Sequence, residues 1–148
     1  MLKGIDPLLG PDLLAILRAM GHGDEIAIVD ANFPASSSAR RLVRLDGVSA
    51  TGAVRAVLSV LPLDTFVPNA AFRMQVVDDS DAVPPITKEF ERLLRAQGYQ
   101  GAIEAIERFS FYERARNAYA VVATGELRFW GNLILKKGAI PPASPTGS

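Results

Sequence analysis

Ile26-Ala27-Ile28-Val29 is a run of four apolar residues that stops at Asp30. A strand with one wet face alternates apolar and polar residues. A strand covered on both faces has no polar side to show and reads as a short unbroken apolar run. Strands of that kind belong to sheets sandwiched between helices, so this stretch favours a layered α/β fold.

The flanking chain supplies those helices. Upstream, Pro11 suits the first position of a helix, Leu13, Leu14, Ile16, Leu17 and Met20 recur at helical spacing, and Gly21 ends the pattern. Downstream, a serine-rich loop from Pro34 to Ala39 leads to a strand at Leu42-Val43-Arg44-Leu45 and a turn at Asp46-Gly47. Val54, Val57, Leu58 and Leu61 share one helical face. Phe72 to Val77 partly alternates and reads as a strand. Pro84-Pro85 then precedes a helix carrying Phe90, Leu93 and Leu94, which Gly98 caps. Ala102 to Ile106 reads as a strand, and Ser110-Phe111-Tyr112-Glu113 fits a capping box that starts a short helix. Tyr119 to Ala123 and Leu133 to Leu135 complete the strands. The pattern predicts a single layered α/β domain over residues 1–140, with a mostly parallel central sheet flanked by helices. Residues 141–148, rich in proline and serine, have nothing to bury and are expected to be disordered.

Composition narrows the chemistry. Lys plus Arg and Asp plus Glu both number 16, so the chain lacks the basic footprint of a nucleic-acid or membrane-surface binder and suits an uncharged ligand. The absence of cysteine removes disulfides, thiolate nucleophiles and thiolate metal sites. The stretch from Met1 to Met20 is broken by Asp6, Pro7, Pro11 and Asp12, unlike a signal peptide or membrane span, and the expected compartment is the cytoplasm. No P-loop, dinucleotide fingerprint, nucleophile elbow or H-E-x-x-H motif is present, and no acidic cluster demands a metal.

Two positions stand out. Asp30 follows the first buried strand, where ligands of open α/β sheets bind, although a turn or cap role would also place an aspartate there. His22, the only histidine, lies between Gly21 and Gly23 in the loop leading into that strand. Histidine is the residue type whose ordinary pKa lies nearest neutrality, so this position is either an acid/base group or an exposed loop residue. Asp24, Glu25, Lys136 and Lys137 read as solvated charges.

Gly21-His22-Gly23-Asp24-Glu25-Ile26 followed by Asp30-Ala31-Asn32-Phe33-Pro34 resembles the N-terminal signature of the RbsD/FucU sugar mutarotase family. Arg108-Phe109-Ser110-Phe111-Tyr112-Glu113-Arg114-Ala115 and Gly131-Asn132-Leu133-Ile134-Leu135-Lys136-Lys137-Gly138 resemble two further blocks of it, nearer the fucose than the ribose branch. The resemblance implies an RbsD-like α/β fold and interconversion of the α and β anomers of a monosaccharide, L-fucose foremost, with no cofactor or metal. It also implies an active site at a subunit interface, in a homo-oligomer built as a decamer of two stacked pentamers. By position, His22 would be the catalytic acid/base, and Asp30, Arg108, Tyr112, Trp130, Gly131 and Asn132 would bind the sugar. Trp130 departs from the tyrosine of the fucose branch, keeping an aromatic face and losing a hydroxyl. Read from the residues alone, Arg108 could equally be a surface ion-pair partner, Tyr112 and Trp130 packing residues, and Asn132 a turn residue. Two alternatives stay open: ribose-type exchange between pyranose and furanose rings, and a non-catalytic sugar-binding transport accessory.

Overall fold

A computed structural model describes residues 1–144. In chain order the elements are α1 (Pro11–Ala19), β1 (Glu25–Val29), α2 (Ala35–Ser38), β2 (Leu42–Leu45), α3 (Ala50–Leu58), β3 (Ala71–Met74), α4 (Pro85–Ala96), β4 (Ile103–Ile106), α5 (Arg108–Asn117), β5 (Ala120–Thr124) and β6 (Leu133–Lys136). Six strands form one sheet in the order β2-β5-β1-β6-β3-β4. β1, β2 and β5 pair in parallel, as do β3 and β4. β6 runs antiparallel between β1 and β3, so it joins two parallel halves into a mostly parallel sheet, as expected.

The unbroken apolar run of β1 has the predicted cause. Ile26 and Ile28 point to one face of the sheet, where α1, α3 and α4 contribute Leu13, Leu17, Val54, Val57, Phe90 and Leu94. Ala27 and Val29 point to the other, against Phe33, Phe111 and Ala115 from the Asp30 loop and α5. β6 repeats the arrangement, with Leu133 and Leu135 on the first face and Ile134 on the second. Because side chains alternate along a strand, two cores require apolar residues at every position of the strands between them.

Several boundaries differ from the sequence reading. The serine-rich loop contains a single helical turn, α2, held by burial of Ala35 and a bond from the Ala39 amide to the Ala35 carbonyl. The strand expected to reach Val77 stops at Met74, because Val76 pairs with Asp79 across a turn in which Asp78 has a positive φ of 62°. The capping box at Ser110 does not form. α5 starts three residues earlier, capped by Glu107, whose carboxylate accepts from the amides of Phe109 (2.9 Å) and Ser110 (3.0 Å). This start sets Phe111 and Ala115, one turn apart, inward against the sheet. Residues 141–144 are exposed chain without helix or strand, and the rest of the tail, 145–148, lies outside the described residues. Among the described residues no helix is long and apolar enough to cross a membrane.

The revised start of α5 can be tested in urea. Glu107→Ala should lower the unfolding midpoint, since it orphans two amides of the first turn, and Ser110→Ala should leave it unchanged. The reverse pattern would restore the cap to Ser110.

Candidate functional site

Asp30 is the residue at which the β1 ladder ends. Its amide donates to Asn132 Oδ1 (2.8 Å), and Asn132 Nδ2 donates back to Asp30 Oδ2 (3.1 Å). The Asn32 amide bonds Asp30 Oδ1 (3.0 Å), turning the chain sharply. This exchange ties the loop after β1 to the residue before β6, which the antiparallel pairing has brought alongside. Asp30 and Asn132 are both buried. Burial raises the Asp30 pKa above the usual carboxylate value, with the Glu126 charge adding to it and the bonds from Asn32 and Asn132 holding it back.

Around this pair lies a cleft of about 340 Å³, lined also by Phe33, Met74, Arg108, Tyr112, Phe129 and Trp130. α5 supplies two of these residues from its first turns, Arg108 and Tyr112. Arg108 lies over the Phe109 ring, 4.5 Å from its centroid, and forms no ion pair among the described residues, so its donors are unspent at the cleft it lines. The Tyr112 ring is fixed edge-on against Phe33 at 5.3 Å. Trp130 adopts φ 67°, a left-handed conformation that costs a bulky residue about 1–3 kcal/mol and marks functional segments. Gly131 must lack a side chain, because a Cβ there would meet Glu126 Cγ at 2.9 Å. Polar hydroxyl-binding groups on one wall and aromatic faces on the other suit a monosaccharide, whose rim is hydroxyls and whose faces carry C–H bonds.

His22 is not in this cleft. β1 has five residues, so its first and last residues stand roughly 13 Å apart at about 3.3 Å per residue, and His22 precedes the start while Asp30 follows the end. Gly23, at φ 90°, turns the chain into β1 and donates to the Lys137 carbonyl. His22 Nε2 lies 3.0 Å from Oδ1 of Asp64, whose side chain is buried while the imidazole is half exposed. The Phe66 amide bonds the same carboxylate oxygen at 2.9 Å, and the Phe66 ring lies 5.4 Å from the imidazole, itself almost fully exposed. The Asp64 pKa falls below its ordinary value, chiefly through the Phe66 amide and then through His22. An ionised Asp64 accepts from Nε2–H, which leaves the lone pair of the neutral ring on Nδ1.

The sequence reading named seven candidates, of which the structure places six, Asp30, Arg108, Tyr112, Trp130, Gly131 and Asn132, in and behind one cleft and the seventh, His22, beyond the opposite end of β1. It missed Asp64, which stands 42 positions from His22 and carries no motif. Four charges expected to be solvated are not free. Lys137 Nζ bonds the carbonyls of Leu17 (2.7 Å) and Met20 (2.6 Å) and so caps α1. Asp24 accepts from the Gly21 amide at 2.7 Å, bracing the His22 loop. Arg114 grips Glu25 through two bonds of 2.8 and 2.7 Å while lying over the Phe72 ring, and Lys136 sits 3.5 Å from the same carboxylate. Among the described residues no three His, Asp or Glu side chains converge as a metal site.

Comparison with known proteins finds relatives over nearly the whole chain. The profile of the RbsD / FucU transport protein family matches residues 3–140. The chain is 48% identical over 145 residues to the fucose mutarotase of Homo sapiens, covering 94% of each chain, and 46% identical over 147 residues to that of Danio rerio, covering 96% of each. The crystal structure of the Streptococcus pneumoniae fucose mutarotase in complex with L-fucose superposes with a TM-score of 0.89 at 41% identity, covering 95% of this chain and 100% of that one.

The Asp64 environment has a pH signature. Its folded pKa lies below its unfolded value, so its stabilisation is present above 3.8 and is lost as pH falls through the lower folded pKa. The difference in unfolding free energy between wild type and Asp64→Asn should therefore shrink as pH falls from about 5 through the lowered folded pKa of Asp64. A pH-independent difference would contradict the assignment.

Proposed function

The chain belongs to the RbsD / FucU family, and from that premise we propose that it is a fucose mutarotase, an isomerase that interconverts the α and β anomers of L-fucose. The observation that carries the reading is the cleft. Asp30 and Asn132 present a fixed pair of polar groups, Arg108 adds unspent donors, and Trp130 and Tyr112 offer aromatic faces. The solved relative bound to L-fucose shares this fold at 41% identity.

Mutarotation moves two protons. The anomeric hydroxyl loses one as the C1–O5 bond breaks, and the ring oxygen gains one. The aldehyde turns about C1–C2 and closes on its other face, with the proton transfers reversed. His22 carries the proton. Asp64 holds Nε2–H and keeps the lone pair on Nδ1, which takes the proton from O1 and delivers it to O5. Asp30, Arg108 and Asn132 hold the remaining hydroxyls, and Trp130 covers an apolar sugar face. This chemistry asks for no redox cofactor or metal.

His22 of one copy must then serve the cleft of another, since within one chain the length of β1 separates them. A contact that joins two different surfaces of the same chain is heterologous and closes into a ring. Exposed aromatic side chains at both ends of the sheet suit that contact. Phe66, 80% exposed, stands beside His22, and Phe129, 70% exposed, borders the cleft. The family resemblance points to a decamer of two stacked pentamers.

Saturation transfer between the α and β anomeric protons of L-fucose reads the exchange at equilibrium. His22→Ala should slow it by about 10²-fold or more while sugar still binds, and Asp30→Ala should weaken binding as well. Sedimentation should give a large closed oligomer, and Phe66→Asp should break it. An intact protein that binds fucose without exchanging its anomers would favour a transport accessory. Exchange by a 15.9 kDa monomer would refute the shared site.

A further inference from the structure

Residues 125–132 link β5 to β6 without helix or strand, yet they carry Trp130, Gly131 and Asn132. Such a segment needs another source of order, and Glu126 provides one. Its carboxylate, 7% exposed, receives Arg128 as a fork, with Nε on Oε2 at 3.2 Å and Nη2 on Oε1 at 3.0 Å, while the Arg128 amide adds a bond of 3.3 Å. The other guanidinium nitrogen, Nη1, bonds Glu89 on α4. The Glu126 carbonyl accepts from the Ala31 amide at 2.9 Å, tying the segment to the Asp30 loop. Gly131 lies against the Glu126 stem, with Trp130 held left-handed just before it.

We propose that Glu89, Arg128 and Glu126 form a positioning clasp that fixes Trp130 in the cleft and Asn132 against Asp30, and thereby sets the affinity for the sugar. The affinity part rests on the reading of this cleft as the fucose site. These residues act through others and touch neither His22 nor Asp64. The outer pair, Arg128 with Glu89, is 44% and 35% exposed, and ion pairs of that exposure contribute little to folding. What a fork adds is geometry: a planar guanidinium engaging one carboxylate bidentately and a second at its free nitrogen defines a position that one point charge cannot.

Trp130 is the only tryptophan, so its near-ultraviolet circular dichroism and acrylamide quenching report this segment without reference to activity. The test compares wild type with Arg128→Met, Arg128→Lys and Glu89→Gln, using L-fucose exchange at increasing sugar concentration. Arg128→Met should keep the far-ultraviolet spectrum, lose most of the tryptophan band, and quench more readily. Its KM should rise by between about tenfold and 10²-fold, the range that a displacement of about 1 Å brings, with kcat changed far less. Arg128→Lys and Glu89→Gln should fall between Arg128→Met and wild type. A tryptophan band unchanged in Arg128→Met overturns the clasp, and a changed band with wild-type KM overturns its control of affinity. If wild type itself shows no exchange, the tryptophan readout still decides the clasp, and only the proposed activity fails.

Discussion

Burial of β1 on both faces, with a strand hydrogen-bonded along each side, is the constraint on which the rest of the structure depends. Ile26, Ile28 and Val29 are fully enclosed, and each contributes about 1.5–3 kcal/mol relative to exposure. Shifting the strand by one residue would exchange the side chains presented to the two cores, so its register is fixed. That register sets the lengths of chain available at its two ends. Asp30 must begin the loop at one end, and Gly23 must begin the strand's approach at the other. The antiparallel β6 beside it carries the same order to the sugar-binding segment, because the bond from the Asp30 amide to Asn132 extends the β1–β6 pairing by one step.

The two ends have been given opposite electrostatics. Asp64 is a carboxylate kept ionised by a backbone amide and an imidazole, as suits a group that must orient a base and bear its charge. Asp30 is a carboxyl whose burial opposes ionisation, with both oxygens already accepting bonds. It suits recognition of hydroxyls better than transport of protons. The division matches the proposed roles, proton transfer at the more exposed end and sugar recognition in the buried one. Mutarotation needs modest catalysis, and a general acid/base held in place supplies about 10²–10⁴-fold.

The strands and the long helices were legible because their signals are local. An apolar run four residues long, or Phe90 and Leu94 one turn apart, states its burial directly. The start of α5 was misplaced because Ser110 and Glu113 match a capping box, whereas Glu107 is not among the residues that ordinarily cap helices and shows its role only in the bonds its carboxylate accepts from the Phe109 and Ser110 amides. Family blocks marked the cleft residues, whereas their separation from His22 followed only once the length and direction of β1 were fixed. Asp64 carried no signal at all: its meaning comes from a contact across 42 positions. The same holds for Lys137 capping α1 and Arg114 bound to Glu25, charges that a sequence alone assigns to solvent.

The central claim is that each active site takes His22 from one copy and its cleft from another. The direct measurement is fucose exchange by oligomers assembled from an equal mixture of His22→Ala and Asp30→Ala chains, each nearly inactive alone. In a heterologous ring with random mixing, about a quarter of the contacts pair an intact His22 with an intact cleft. The account predicts recovery to about a quarter of the wild-type rate. Mixed oligomers as inactive as the parent variants would contradict it, since a site contained in one chain can never be completed by its neighbour.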